Sequence, residues 1–219
     1  MKEIVIIGNG SYARMMNRYL KLTEDVKVHA YAVDEQYIEE PEIDGIKVIS
    51  FQQLRRDFPF EIYDLIMGIG YAQMSQIRKR LYEQCKLWGY HFQNYIHPSA
   101  IISPDIKMGE GNNILEGVIM EVGVSIGNAN LFFGGSIVGH ESNIGNYNTF
   151  SINAKIAGQV TICDNCFLGI ASVVRDSVEL SNFTLIGAGA YCSKNMEEYS
   201  VLVPPKSKIL EDKRSTDLL

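Results

Sequence analysis

Histidine and cysteine are scarce in this chain, with four of each among 219 residues, and the motifs through which they usually act are missing. There is no H-E-x-x-H, no G-x-S-x-G, no P-loop and no paired-carboxylate signature, which removes the zinc-protease, serine-hydrolase, nucleotide triphosphatase and glycosidase templates. Cys163 and Cys166 form one C-x-x-C, but no second pair or histidine pair completes a zinc set, so no metal is expected. An excess of basic charge is also lacking: 20 Lys and Arg stand against 26 Asp and Glu, a formal net charge of -6. Non-specific binding to nucleic acid or to an anionic membrane, which rests on basic patches, is not expected, although a local basic pocket is still allowed. Long apolar runs are absent at the amino terminus, where Ile4 to Ile7 ends at Gly8. That run is too short for a signal peptide or a membrane span, and a cytoplasmic protein is expected.

What the chain has instead is a period. An apolar residue stands at every sixth place from Ile102 to Cys192, sixteen in succession, among them Ile114, Phe132, Val138, Phe150, Ile162, Leu168 and Ile186. A 3.6-residue repeat would scatter these positions around a helix, and simple strand alternation has a period of two. A strict six-residue period marks a parallel β-helix. The positions two places earlier, such as Ala100, Val118, Ser136, Ala154, Cys166 and Ala190, are small or apolar and fit the inside of each corner. Glycine often follows the aliphatic place (Gly109, Gly127, Gly139, Gly145, Gly169, Gly187), as expected for a positive φ or a close backbone approach. Three hexapeptides close one coil, so sixteen give about five coils, each burying its face on the next. Cys166 and Cys192 fall on inward places and are expected to pack rather than react.

Ahead of the repeats lies a second unit. Residues 2–7 read as a buried strand running into Gly8-Asn9-Gly10-Ser11-Tyr12-Ala13 and then a helix to about Leu22. Further strands are expected at about Val26–Val33, ending at Asp34, and at about Ile62–Ile69, ending at Gly68-Ile69-Gly70. A helix from about Ala72 to Trp88 and a short strand through Tyr90–Ile96 complete a small α/β domain with a parallel sheet. The expected division is 1–96 for this Rossmann-like domain and 97–219 for the β-helix with a C-terminal tail. The loop fits G-x-G-x-x-[GA], with Asp34 where a ribose-binding carboxylate belongs. The domain is only half of a full dinucleotide fold, which suits a mononucleotide or nucleotide sugar better than NAD. Gly8 and Gly10 would let backbone N–H groups and the helix N-terminus face a diphosphate.

Of the four histidines, His29 and His91 fall in expected strands of the front domain, and His97 precedes Pro98 at the junction. His140 differs. In Gly139-His140-Glu141 it lies two places past the inward Val138, so it points outward beside a carboxylate, as a general base requires. From spacing alone a lone surface histidine remains the alternative.

The stretch from Gly135 to Lys194, together with the front domain, closely resembles the NeuD/PglD-type hexapeptide-repeat sugar acyltransferases. That resemblance implies a left-handed β-helix, a homotrimer, acetyl-CoA as co-substrate and a nucleotide-linked amino sugar as acceptor. Carried over by motif, His140 and Glu141 are the catalytic pair. Gly8, Asn9, Gly10, Ser11, Tyr12, Ala13, Asp34 and Gly70 fall on the nucleotide-sugar site. Thr149, Gly158, Ile170, Ala188 and Lys206 fall along the CoA arm, with backbone N–H groups near Gly158 as oxyanion donors. Two departures stand out: Thr149 occupies a place where some relatives carry histidine, and the terminal G-x-P-A-K is here Leu202-Val203-Pro204-Pro205-Lys206. The implied activity is N-acetylation of a nucleotide-linked 4-amino-4,6-dideoxy sugar by direct attack. O-acetylation of a sugar of the sialic acid type and a non-catalytic trimeric nucleotide-binding scaffold stand as alternatives. Neither the nucleotide nor the sugar is readable from the residues.

Overall fold

A computed structural model describes residues 2–22, 26–209, 211, 214 and 216. The chain opens with β1 (Lys2–Ile7), α1 (Ser11–Lys21) and β2 (Val26–Val33), followed by a 3₁₀ turn at Glu35–Tyr37. Then come β3 (Glu42–Ile43), β4 (Ile46–Ser50), α2 (Phe51–Asp57), β5 (Tyr63–Met67) and α3 (Gln76–Leu87). The sheet order is β3-β4-β2-β1-β5, parallel except for the β3–β4 pair. The near-continuous apolar runs of β1 and β5 follow from burial on both faces: Ile4, Val5, Ile6, Ile7, Leu65 and Met67 are all buried. After β1 the chain winds one way to β2 and β4, then returns to β5 on the other side of β1. This switch opens a crevice at the C-terminal ends of the strands.

The β3–β4–α2 segment is absent from the sequence-based expectation, although α2 carries a legible signal. Ser50 caps it, its hydroxyl accepting from the Gln53 N–H at 3.2 Å while the Gln53 side chain accepts from the Ser50 N–H at 2.8 Å. Ser50→Ala is expected to cost about 1 kcal/mol of stability, measurable by urea denaturation.

From Tyr95 to Cys192 two-residue strands recur every six residues and pair in parallel at a spacing of eighteen, as in Ile101–Ile119–Ile137–Lys155–Val173–Tyr191, and a last strand, Val201–Leu202, pairs with Leu185–Ile186 sixteen residues back. Three sheets of six, five and seven strands form the faces of a left-handed parallel β-helix. The sixfold apolar residues point inward and build a single core, in which Phe132 and Phe150 stack at 4.5 Å. Glycine after the aliphatic place serves close approach and not positive φ: a Cβ on Gly139 would sit 2.6 Å from the Ala157 backbone. Positive φ falls two places later, at every sixth residue from Gly111 to Gly189, where Glu141, Tyr147, Asn153 and Gln159 all adopt it.

The strand expected through Tyr90–Ile96 is split. Phe92 bridges Leu65 in the front sheet, whereas β6 (Tyr95–Ile96) already belongs to the seven-stranded face of the solenoid. The front unit rests on that same face: Ala129 and Tyr147 join the front core, and Leu115 joins the cluster under α1.

Candidate active site

The crevice at the strand ends is a cleft of about 790 Å³, walled by Gly8–Tyr12, Val33, Asp34, Gly68–Gln73, Arg80 and Phe133. The glycine loop makes room for it. Gly8 has φ +102 and lies against Gly68, where a Cβ would come within 3.1 Å of the Gly68 carbonyl oxygen. Gly10 is the N-cap of α1 and offers no side-chain cap, which leaves the first-turn N–H groups for an anion. Ala13 does not line the cleft; it is fully buried, and its small side chain lets the helix close on Gly68. Asp34 arrives in an ion pair, its Oδ2 accepting from Arg80 at 3.0 Å, and Asn9 donates to the Tyr37 carbonyl at 2.9 Å. Tyr12 is half-buried, its hydroxyl accepting from Asn113 at 3.0 Å, and loss of solvent around it pushes the phenol above its ordinary value.

The solenoid presents three edges, one between each pair of faces. Because eighteen residues make a coil, Val122, His140, Gly158 and Asp176 share one edge, Ile152, Ile170 and Ala188 the second, and Asn128, Asn146, Asp164 and Asn182 the third. The third is zipped by a ladder of side-chain oxygens, amide from Asn and carboxylate from Asp164, each accepting from the backbone N–H eighteen residues earlier, from Asn128 on Glu110 to Asn182 on Asp164.

His140 is half-exposed on the first edge. Its imidazole lies across Gly158, where a Cβ would collide with Nε2 and come within 2.6 Å of Cε1. Its own N–H donates to Glu121 at 2.8 Å. Glu141 is nearby but does not hydrogen-bond the ring: Nδ1 to Oε2 is 3.8 Å, and that oxygen accepts instead from Gln159 at 2.9 Å. The Gly158 N–H is not free as an oxyanion donor in this chain, since it donates to Asp176 at 3.2 Å.

The remaining residues expected along the CoA arm do not gather at His140. Ile170 and Ala188 are exposed on the second edge, and Lys206 is exposed beyond the last strand. Thr149 is a correction: it is fully buried, its hydroxyl taken by Arg78 at 3.0 Å and facing Ser75 at 3.5 Å, so it fastens the front unit to the solenoid and offers nothing to a bound molecule. Burial likewise pushes the Cys166 thiol up to about 12, which keeps it protonated. Sequence reasoning missed Tyr37, Tyr71, Arg80 and Phe133 in the cleft wall and Arg78 beneath it. The legible signal was position, since each of these wall residues follows closely on a strand end or stands in α3. Among the described residues no cluster of three or more His, Cys, Asp or Glu could hold a metal ion, and no helix is long and apolar enough to cross a membrane.

Residues 3–85 match the model of the PglD N-terminal domain. A UDP-N-acetylbacillosamine N-acetyltransferase from Bacillus subtilis is 27% identical over 124 residues, so the match spans about half the length of that curated relative (52%) and 52% of this chain. Among solved structures, PerB from Caulobacter crescentus in complex with CoA and GDP-perosamine is 25% identical with a TM-score of 0.80, covering 92% of this chain and 93% of that one. The acetyltransferase domain of PglB from Neisseria gonorrhoeae, 18% identical with a TM-score of 0.80 over 92% of this chain and 96% of that one, shares the fold.

Proposed function

We propose that this chain is a sugar acyltransferase of the NeuD/PglD hexapeptide-repeat type, a reading supported by its match to the PglD N-terminal domain and its likeness to PerB, and that it moves the acetyl group of acetyl-CoA onto the amine of a nucleotide-linked 4-amino-4,6-dideoxy sugar. The observation that carries this reading is the pairing of an anion-ready cleft at the α1 N-terminus with a half-exposed imidazole held over Gly158. That the relatives are N-acetyltransferases favours nitrogen over oxygen as the acceptor atom. In this reading residues 1–96 hold the nucleotide sugar and 97–219 the acetyl donor, and the reaction is assigned to the cytoplasm, where acetyl-CoA is made.

His140 takes the proton that the amine loses as its nitrogen bonds to the thioester carbonyl carbon. The imidazolium then returns that proton to the departing sulfur as the carbon–sulfur bond breaks, so no acyl-enzyme is needed. Glu141, at 3.8 Å, stabilises the imidazolium by charge. The N–H groups at the start of α1 take the diphosphate, the Gly8 N–H being held by the Ala32 carbonyl at 2.8 Å, and Asp34 takes ribose hydroxyls.

The site is shared between copies in this reading. The front unit covers one face of the solenoid, and His140 lies on the edge opposite that face, away from its own cleft. One of the two remaining faces carries outward apolar residues, Ile101, Ile119, Ile137, Val173 and Tyr191, with Ile101 and Tyr191 more than half exposed. Covering that face in a threefold ring brings the His140 edge of one copy beside the Ile170–Ala188 edge of the next, next to its cleft. CoA would then lie between the edges, touching Gly158 on one side and Ile170 and Ala188 on the other, with Lys206 at the end.

Thiol release from acetyl-CoA, measured against UDP-, dTDP- and GDP-linked 4-amino sugars, tests the reading. Turnover on one donor is expected. Binding of CoA with no turnover on any donor favours the O-acetyltransferase, and absence of CoA binding favours the scaffold.

A further inference from the structure

Arg78 is the one fully buried charged side chain among the described residues, and no described carboxylate lies within ion-pair reach of it. Its guanidinium instead spans two parts of the molecule. Nη1 donates to the Gly70 carbonyl at 2.9 Å, while Nη2 donates to the Tyr147 carbonyl (2.7 Å), the Asn148 carbonyl (2.9 Å) and the Thr149 hydroxyl (3.0 Å). Nε is buried with no partner. Burial lowers its affinity for the proton, to about 9, which leaves it charged at neutral pH.

The segment it grips is unusual. Gln73, Met74 and Ser75 are three successive non-glycine residues at positive φ (53, 50 and 64), a conformation that costs energy at each step and persists only where the surroundings impose it. The solenoid imposes it here. Asn165 donates to the Met74 carbonyl at 2.9 Å, Tyr71 packs on Phe167 at 5.1 Å, and Ser75 is buried against Thr149. Gly70, Tyr71, Ala72 and Gln73 are also the wall of the cleft. A buried cation without a counter-charge is costly, and an anion in the adjoining cleft lowers that cost.

We propose that Arg78 is a positioning residue for the nucleotide sugar: its fork fixes the Gly70–Ser75 wall to the solenoid and lends the cleft its uncompensated positive charge. This rests on the reading of the cleft as the nucleotide-sugar site. Lysine would keep the charge but cannot span four acceptors from one planar head.

The test is calorimetric binding of UDP, dTDP, GDP and CoA to wild type, Arg78→Met and Arg78→Lys, with thermal unfolding of each. The best-bound nucleotide is expected to bind at least tenfold more weakly to Arg78→Met and three- to tenfold more weakly to Arg78→Lys, while the Kd for CoA stays within twofold. A purely structural role would lower the Tm and leave the nucleotide Kd of the folded protein unchanged, which overturns the proposal. If Arg78→Met does not fold, Arg78→Lys decides it alone by the same split. Wild type that binds none of the three nucleotides contradicts the reading of the cleft and this inference with it.

Discussion

His140→Ala is expected to lower kcat for acetyl transfer by about two to four orders of magnitude, the range for loss of a general base, while CoA binds within about twofold of wild type. The side chain is half-exposed on a solenoid edge, makes no packing contact that holds the core, and leaves the His140 backbone N–H to Glu121 unchanged when truncated. Stability is therefore expected to change by less than about 0.5 kcal/mol, as at other surface positions. The check is steady-state kinetics beside a thermal melt. An active variant removes the base assignment, and an inactive but unfolded one is ruled out by the melt.

Gly158→Ala is the second large effect, and it separates the placement of the ring from its chemistry. Gly158 has ordinary φ, so the methyl brings no backbone strain, but it occupies the space that Nε2 of His140 now fills. The imidazole must swing outward by more than an ångström, and displacement of that size at a reacting group costs about a hundredfold in rate. The expected result is a kcat lowered by about one to two orders, with the nucleotide Kd unchanged because the cleft lies on another face. A kcat equal to wild type would mean that the ring does not act from its position over Gly158.

Much of the solenoid is visible in the residues because its constraint is local and periodic. Each inward place sees only its own coil and the next, so Ile102 to Cys192 report burial directly. The positive-φ corners are harder to see, because the left-handed position accepts Glu141, Tyr147 and Gln159 as readily as Gly117, and only the backbone shows that they share a register. The glycine loop and Asp34 were legible as a strand–loop–helix signal, and the cleft collects them. Ala13 and Thr149 belong to packing for one reason: both face a neighbouring element that the sequence does not place, Gly68 for Ala13 and Arg78 for Thr149. The same blindness hides Arg78, which reads as one more base on an amphipathic helix until its fork is seen on Tyr147 and Asn148. His140 was legible as outward-facing, but that its edge lies opposite its own cleft emerges only from which face the front unit covers.

That separation is the central claim, and mixing two inactive variants tests it most directly. Gly10→Trp fills the cleft without strain, since Gly10 has φ -72 and open space around it, and His140→Ala removes the base. Co-expressed with different tags and purified through both, the mixed assembly is predicted to regain acetyl transfer, because an intact cleft on one copy meets an intact His140 on its neighbour. A doubly tagged assembly no more active than either parent, in conditions where wild type turns over, would contradict a site shared between subunits.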